Sequence, residues 1–217
     1  MNRFVRMIAA VGVVALAAVP HAARATTLAP LTHDQMVDAA DLVVEGTVQK
    51  MWTFQDDKGR TWTRAEVLVE RELKDAAAAT SVGGTITVEA AGGESPDGTV
   101  TTVALTPRYS VGERALLYLC ERRFGTMYGT VGMMMGKFTI RQNPADGSDM
   151  VVRFAVPYPK TYDARFIPNP PVSERVSLVS MEAAIERRVA EGWDGQPIPG
   201  AAPEHLRLIN KLQPGVK

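Results

Sequence analysis

Short segments in which apolar and polar residues alternate run from residue 42 to residue 156. The clearest pair, 42–49 and 61–71, flanks a polar turn at 55–59, and this period of two predicts an antiparallel hairpin with one buried face. Further strand candidates are 85–89, 99–105, 114–120, 127–131, 137–141 and 150–156. Turns rich in glycine, proline and aspartate separate them. Many short strands at this spacing predict an all-β barrel or sandwich.

Three helices are predicted outside these strands. Thr32 and Gln35 have the spacing of a capping box, which predicts a short helix over 33–40. A second helix is predicted from Met181, capped by Ser180, to Glu191, where Gly192 ends it. Pro203 fits the first position of a last helix that runs through Leu212.

The second helix is predicted to be amphipathic. Its residues expected to face the sheet are Met181, Ile185 and Val189, and those expected to face water are Glu182, Glu186, Arg187 and Arg188. Between the strands and this helix, the prolines at 157, 159, 168, 170 and 171 predict an extended crossing.

The strand order carries a resemblance to a known family. The segments concerned are 40–48, 67–75, 85–88, 109–119 and 136–138. Over about 41–141 the chain resembles secreted bacterial proteins of unknown function and the N-terminal OB-type barrel of the netrin-like and metalloproteinase-inhibitor family. The resemblance implies a mainly β fold: a single OB-like antiparallel β-barrel over 26–156 with a short N-terminal helix, and a 157–217 region whose two C-terminal helices pack on it.

The inhibitory mechanism of that family does not follow from the resemblance. Those inhibitors present an N-terminal cysteine to the zinc of a protease, whereas this chain has a single cysteine, Cys120. Fold likeness alone does not carry a function from one protein to another. Cys120 lies in an apolar run and is interpreted as a buried, inert thiol.

Residues 1–25 have the three parts of a signal peptide. Arg3 and Arg6 precede an apolar run of 12 residues over 8–19, and Ala23 to Ala25 fits the cleavage rule. We therefore expect cleavage after Ala25, a periplasmic or secreted protein, and no stable membrane anchor afterwards.

Removal of the predicted signal peptide also changes the net charge expected for the mature chain. The whole chain has 24 basic and 24 acidic side chains, but three arginines leave with residues 1–25. The mature chain would carry 21 basic against 24 acidic groups. Nucleic-acid binders carry a basic excess, so we exclude nucleic acid as a partner.

Catalytic sets are missing from the predicted barrel. The mature chain has two histidines, His33 and His205, both interpreted as solvated helix residues. Without a histidine beside a serine or cysteine nucleophile, the sequence indicates a non-enzymatic protein that needs no cofactor. The alternative is an envelope hydrolase that uses surface carboxylates, the candidates being Glu66, Glu70, Glu72, Asp75, Glu89, Glu94 and Asp97.

The tip of the predicted hairpin holds the candidate binding residues. A turn centred on Asp57 would place Trp52 opposite Trp62 and Phe54 opposite Arg60, on one face. Such pairs can simply stabilise a hairpin, or they can form an exposed platform for a sugar, peptide or protein surface. The predicted partner is accordingly a protein or a small ligand.

A methionine cluster offers a weaker alternative. Met133 and Met135 would share a face of an extended segment, with Met127 nearby, and thioethers suit Cu(I). Methionine also fills irregular gaps in cores, which is the competing interpretation. Residues 143–149 have oxygen ligands of the kind calcium prefers but lack the full loop pattern, so a plain hairpin turn is predicted there.

Overall fold

The computed structural model describes residues 31–76, 81–123, 127–153 and 174–201. The predicted signal peptide, the proline-rich crossing after residue 156 and the last predicted helix lie outside these residues. Within them the fold is mainly β, as the alternating pattern predicts.

Two α-helices and ten strands make up the described part of the chain. The helices are α1 (His33–Ala39) and α2 (Leu178–Glu191), with a 3-10 helix at Met133–Gly136. The strands are β1 (Leu42–Gln55), β2 (Thr61–Asp75), β3 (Thr85–Ala91), β4 (Gly93–Glu94), β5 (Val100–Thr101), β6 (Arg114–Arg123), β7 (Met127–Thr130), β8 (Lys137–Gln142), β9 (Asp149–Arg153) and β10 (Glu174–Ser177).

Eight strands form one large sheet in the order β1-β2-β3-β7-β6-β8-β9-β10, and β1 also pairs with β6. The pairings are antiparallel except that of β3 with β7, which is parallel. The remaining strands, β4 and β5, pair with each other.

The two faces of the sheet support two separate cores. Val48, Val67 and Leu117 belong to the core on one face, here called the inner face. Leu116 and Phe138 belong to the core on the other, outer face, where they pack with residues of both helices. Neighbouring residues of a strand point to opposite faces, so β6 is buried on both sides and its sequence is continuously apolar from 115 to 119.

Both helices cover part of the outer face. The capping box of α1 is present: Thr32 Oγ1 accepts from the Gln35 amide at 3.2 Å, and the Thr32 amide donates to Gln35 Oε1 at 2.9 Å. Helix α2 begins three residues earlier than predicted, at Leu178, because β10 leads directly into it through Ser177. It ends at Gly192, whose φ of 76° breaks the helical path, as predicted.

The polar side of α2 differs from the prediction. Met181 and Ile185 are buried as expected, but Glu182 and Arg188 are buried too, each only 9% exposed. Arg188 donates to both carboxylate oxygens of Asp38 on α1, at 3.0 and 2.6 Å. The expectation that both residues face water was wrong because α1 and β2 cover that side of the helix.

A second correction concerns the segment predicted as a strand over 99–105. Only Val100–Thr101 is a strand, and residues 102–110 run irregularly to the inner face, where Tyr109 is buried. Leu105 adopts φ 63°, a left-handed conformation that no strand contains. The Leu105 carbonyl accepts a hydrogen bond from the Met134 amide at 2.9 Å, which ties this segment to the 3-10 helix.

The β1–β2 hairpin contains three register shifts and one close approach at Gly46. A Cβ atom at Gly46 would overlap the carbonyl oxygen of Leu68. We expect Gly46→Ala to lower the free energy of unfolding by about 1–3 kcal/mol, because the backbone of β2 must move. Urea unfolding measures this loss.

The matched control for that substitution is Gly129→Ala in β7. A Cβ at Gly129 would meet only the side chain of Arg122, which can rotate away. We expect this variant to stay within about 0.5 kcal/mol of the parent, in the range of substitutions that disturb no packed feature. Equal losses in the two variants would contradict the proposed overlap at Gly46.

Candidate functional site

The hairpin tip has a register different from the predicted one. Phe54 lies opposite Trp62, and Trp52 lies opposite Arg64. The prediction that Trp52 faces Trp62 and Phe54 faces Arg60 directly was therefore wrong by two residues. A register shift of two residues leaves each side chain on the same face of the sheet. The prediction that Trp52, Phe54 and Trp62 share a face is therefore confirmed.

The turn explains the shift. Its five residues, 56–60, are organised around the Asp56 carboxylate. This carboxylate accepts hydrogen bonds from the amides of Lys58 and Arg60, at 3.0 and 2.9 Å, and from the Arg60 guanidinium at 2.7 Å. These hydrogen bonds, those of the Arg60 side chain most of all, hold the pKa of Asp56 below its ordinary value. Gly59 takes the left-handed conformation with φ 70° that closes the loop.

A cation lies over each aromatic ring of this face. The Arg64 guanidinium is 4.1 Å from the Phe54 ring centre, and the Arg60 guanidinium is 5.5 Å from that of Trp62. The Lys50 ammonium is 5.4 Å from the ring centre of Trp52. We call this set the aromatic stripe: Lys50, Trp52, Phe54, Arg60, Trp62 and Arg64. Interactions of this kind contribute about 0.5–1 kcal/mol each at exposed positions and hold the rings in place.

Each cation of the stripe has an acidic neighbour. Asp56 binds Arg60 and accepts the indole N–H of Trp62 at 3.1 Å. Arg64 forms an ion pair with Glu89 of β3 at 3.1 Å, and Lys50 lies directly opposite Glu66. The charges of this surface therefore balance, unlike the positive patch that a nucleic-acid backbone requires.

The stripe lies outside both cores. Its three aromatic side chains are half-buried, and none belongs to the inner or outer core or packs against one. Arg60 has 60% of its side chain exposed. Trp62 and Arg64 lie two residues apart in an alternating segment, so the sequence pattern places Arg64 on the same face as Trp62. The contact between Arg64 and Phe54 depends on the strand register, and the sequence did not predict it.

The methionine segment is not extended. Residues 133–136 form a 3-10 helix, and Met135 is 5% exposed within the outer core. Met133 and Met135 therefore do not share an exposed face, which removes the geometric premise of the proposed Cu(I) site. Met127 lies in β7 opposite Thr87. Within the 143–149 segment, residues 143–148 form the turn of the β8–β9 hairpin, Asp149 begins β9, and the Asp146 carboxylate is bound to Ser148.

His33 is not the solvated residue that the sequence predicts. Its Nε2 lies 2.7 Å from the hydroxyl of Tyr118, which is buried in the outer core. Burial lowers the pKa of His33, an effect that Asp34 opposes. Cys120 is half-buried, with its Sγ 3.4 Å from the Gly129 carbonyl, and burial raises the pKa of its thiol. Within the described residues neither group has the neighbours of a catalytic pair.

A carboxyl pair that the sequence did not reveal lies between the sheet and α2. Glu45 is 5% exposed and shares a hydrogen bond with Glu182, and burial is the main cause that raises its pKa to about 7. Arg71 pairs with Glu182 at 2.7 Å and with Glu186 at 2.9 Å. Long-range packing alone brings these residues together, so no local pattern could have predicted the pair.

Comparison of the chain with models of known protein families gave no match, and comparison with curated proteins gave no match either. In the described ranges, neither helix is both long enough and apolar enough to cross a bilayer. In those same ranges no three His, Cys, Asp or Glu side chains are grouped as metal ligands.

Proposed function

We propose that the protein is a non-enzymatic β-barrel module, exported to the periplasm or the medium, that binds a protein or a small ligand through the aromatic stripe. The observation that carries this proposal is the stripe itself: three rings, each fixed by a cation, on a sheet surface outside both cores. Immobilised aromatic rings lose little conformational freedom on binding, which is why they dominate binding surfaces.

We infer that the fold is an OB-like barrel of the kind the family resemblance implies. The support is the set of pairings that links β1, β2, β3, β7 and β6 and returns to β1. A five-stranded barrel of this type needs each strand to have two neighbours. In this arrangement β8, β9 and β10 extend the sheet beyond the barrel, and the stripe lies on the outside of the β1–β2 hairpin.

The balanced charge of the stripe favours a partner without a high charge density. A protein surface or an oligosaccharide offers flat apolar patches with scattered hydroxyl and carboxyl groups, which suit rings flanked by guanidinium groups. The hydrolase alternative ranks below binding because the carboxyl pair described above, Glu45 and Glu182, is buried between the sheet and α2 and not exposed on a surface.

Trp52→Ala is expected to weaken binding at least tenfold while leaving the fold intact. The ring contributes contact area at the stripe and is absent from both cores, so its loss removes binding energy rather than packing. The measurement immobilises residues 26–217 and compares retention of a soluble oligosaccharide panel and of a bacterial envelope extract by the parent and the variant.

Val111→Ala is the matched control, because Val111 is an apolar residue, 64% exposed, that is not part of the stripe. We expect it to retain every partner that the parent retains. If Trp52→Ala and Trp62→Ala, with unchanged circular dichroism and Tm, bind every retained partner as tightly as the parent does, the stripe is not the binding surface.

A further inference from the structure

A second concave site lies on the inner-face side of β8, apart from the aromatic stripe. Residues of the irregular segment 102–110 and of β8 line an open cavity of about 480 Å³ there. Lys137 and Thr139 of β8 form its floor together with Val152 of β9. Cavities of about 300–1,000 Å³ hold small molecules in proteins.

The charges around this cavity are predominantly positive. Its basic residues are Arg108, Lys137, Arg141 and Arg153, whereas Glu113 is the one acidic residue of the lining. The lining therefore has more basic than acidic residues, whereas the mature chain as a whole is predicted to have more acidic than basic ones. A concave surface lined by one sign of charge concentrates ligands of the opposite sign.

Glu113 neutralises Lys137, and Arg108 is the arginine of the lining that remains available to a ligand. One carboxylate oxygen of Glu113 lies 2.5 Å from Lys137 Nζ and 2.6 Å from Thr139 Oγ1, and the other accepts the Ser110 amide at 3.1 Å. Arg153 binds Glu174 and lies over the Phe138 ring. Arg108 is exposed and forms no ion pair within the described ranges.

The uncharged part of the lining is mainly apolar, with Thr102, Thr106, Ser110 and Thr139 as its polar members. Val103, Leu105, Pro107, Met134 and Val152 line the cavity beside the charged groups. Leu105 is held in the left-handed conformation described above, and such strain is kept where the surrounding structure uses it. A ligand that fits this cavity therefore needs an anionic group for Arg108 and an apolar body for the apolar part of the walls.

We propose that this cavity binds a small amphipathic anion, with a carboxylate or phosphate head at Arg108 and an aliphatic body against Leu105 and Met134. Guanidinium groups bind both head types through paired N–H donors. The proposal is independent of the aromatic stripe, because the two sites have no residue in common.

Isothermal titration of residues 26–217 with octanoate, octyl phosphate, octanol and inorganic phosphate tests the proposal. We expect one of the two amphipathic anions to bind at least tenfold more tightly than octanol and than inorganic phosphate. The preferred anion identifies the head group. Equal binding of octanol would show that charge is not recognised, and binding of inorganic phosphate alone would show that the apolar walls are not used; either result overturns the proposal.

Variants locate the binding. Arg108→Gln is expected to weaken the preferred anion at least tenfold, and Val103→Trp, at the exposed rim, to block the cavity. Arg175→Gln on β10 is the matched control, an exposed arginine outside the cavity lining, and should bind as the parent does. Unchanged affinity in both Arg108→Gln and Val103→Trp, or the absence of binding by any anion in the parent, also overturns it. Trp52→Ala should leave this binding unchanged, which separates the two sites.

Discussion

Arg188→Met is expected to lower the free energy of unfolding by about 3–5 kcal/mol, because it leaves the carboxylate of Asp38 buried without its partner. Asp38 is 5% exposed and receives two hydrogen bonds from the Arg188 guanidinium. Burial is the main cause that raises the pKa of Asp38, and Arg188 opposes that rise. Urea unfolding at pH 7 measures the loss.

Two further variants separate the buried pair from other effects. Arg187→Met removes the neighbouring arginine, which is 64% exposed, and should change the stability by less than about 0.5 kcal/mol. The double variant Asp38→Leu with Arg188→Met should recover most of the loss, because replacing both members of a buried ion pair by apolar groups is often neutral. A loss below about 1 kcal/mol in Arg188→Met would show that the pair does not hold α1 and α2 together.

Glu45→Gln is expected to stabilise the protein at pH 8 and to have little effect at pH 5. The pKa of Glu45 is raised from 4.5 to about 7 in the folded protein. The contribution of Glu45 to folding stability is therefore fully present below about pH 4.5 and is lost as the pH rises through 7. Glutamine stays neutral throughout. We expect the free energy of unfolding of the variant to exceed that of the parent by about 2 kcal/mol at pH 8. This is less than the maximum that the pKa change allows.

The groups facing Glu45 define the controls. Glu182 and Arg71 lie against it, and Arg114 also lowers its pKa from the β6 side. Glu186→Gln changes the other carboxylate bound to Arg71, but Glu186 is 56% exposed and should not reproduce the effect. Urea unfolding of parent and variants at pH 5 and 8 is the measurement. A Glu45→Gln difference that is the same at both pH values would rule out a proton held at Glu45.

Local patterns predicted the elements of this fold but not their partners. Alternation of apolar and polar residues located β1 and β2, which are buried mainly on one face, and a continuous apolar run located β6, which is buried on both. The helical period of α2 wrongly predicted that Arg188 faces water, because the period shows which residues of a helix are polar and not which other elements cover them. The ion pair with Asp38 joins residues 150 positions apart.

In the candidate site, too, the local pattern was predictable from the sequence and the pairing between strands was not. The alternation of side chains along the two hairpin strands predicted that Trp52, Phe54 and Trp62 lie on one face. Their pairing depends on the loop length, which the hydrogen bonds of Asp56 set after folding. The cavity beside β8 was not predicted, because the sequence pattern predicts a strand over 99–105, whereas the left-handed conformation of Leu105 breaks that strand.

The position of β6 has a consequence for how the molecule opens. This strand pairs with β1, β7 and β8, and its residues 115–119 are buried on both faces. Its amide protons should therefore exchange with solvent only when the whole domain unfolds. The tip of the β1–β2 hairpin packs into neither core, so its amides should exchange through local opening. The backbone of the hairpin tip can therefore open locally while the β6 hydrogen bonds stay closed.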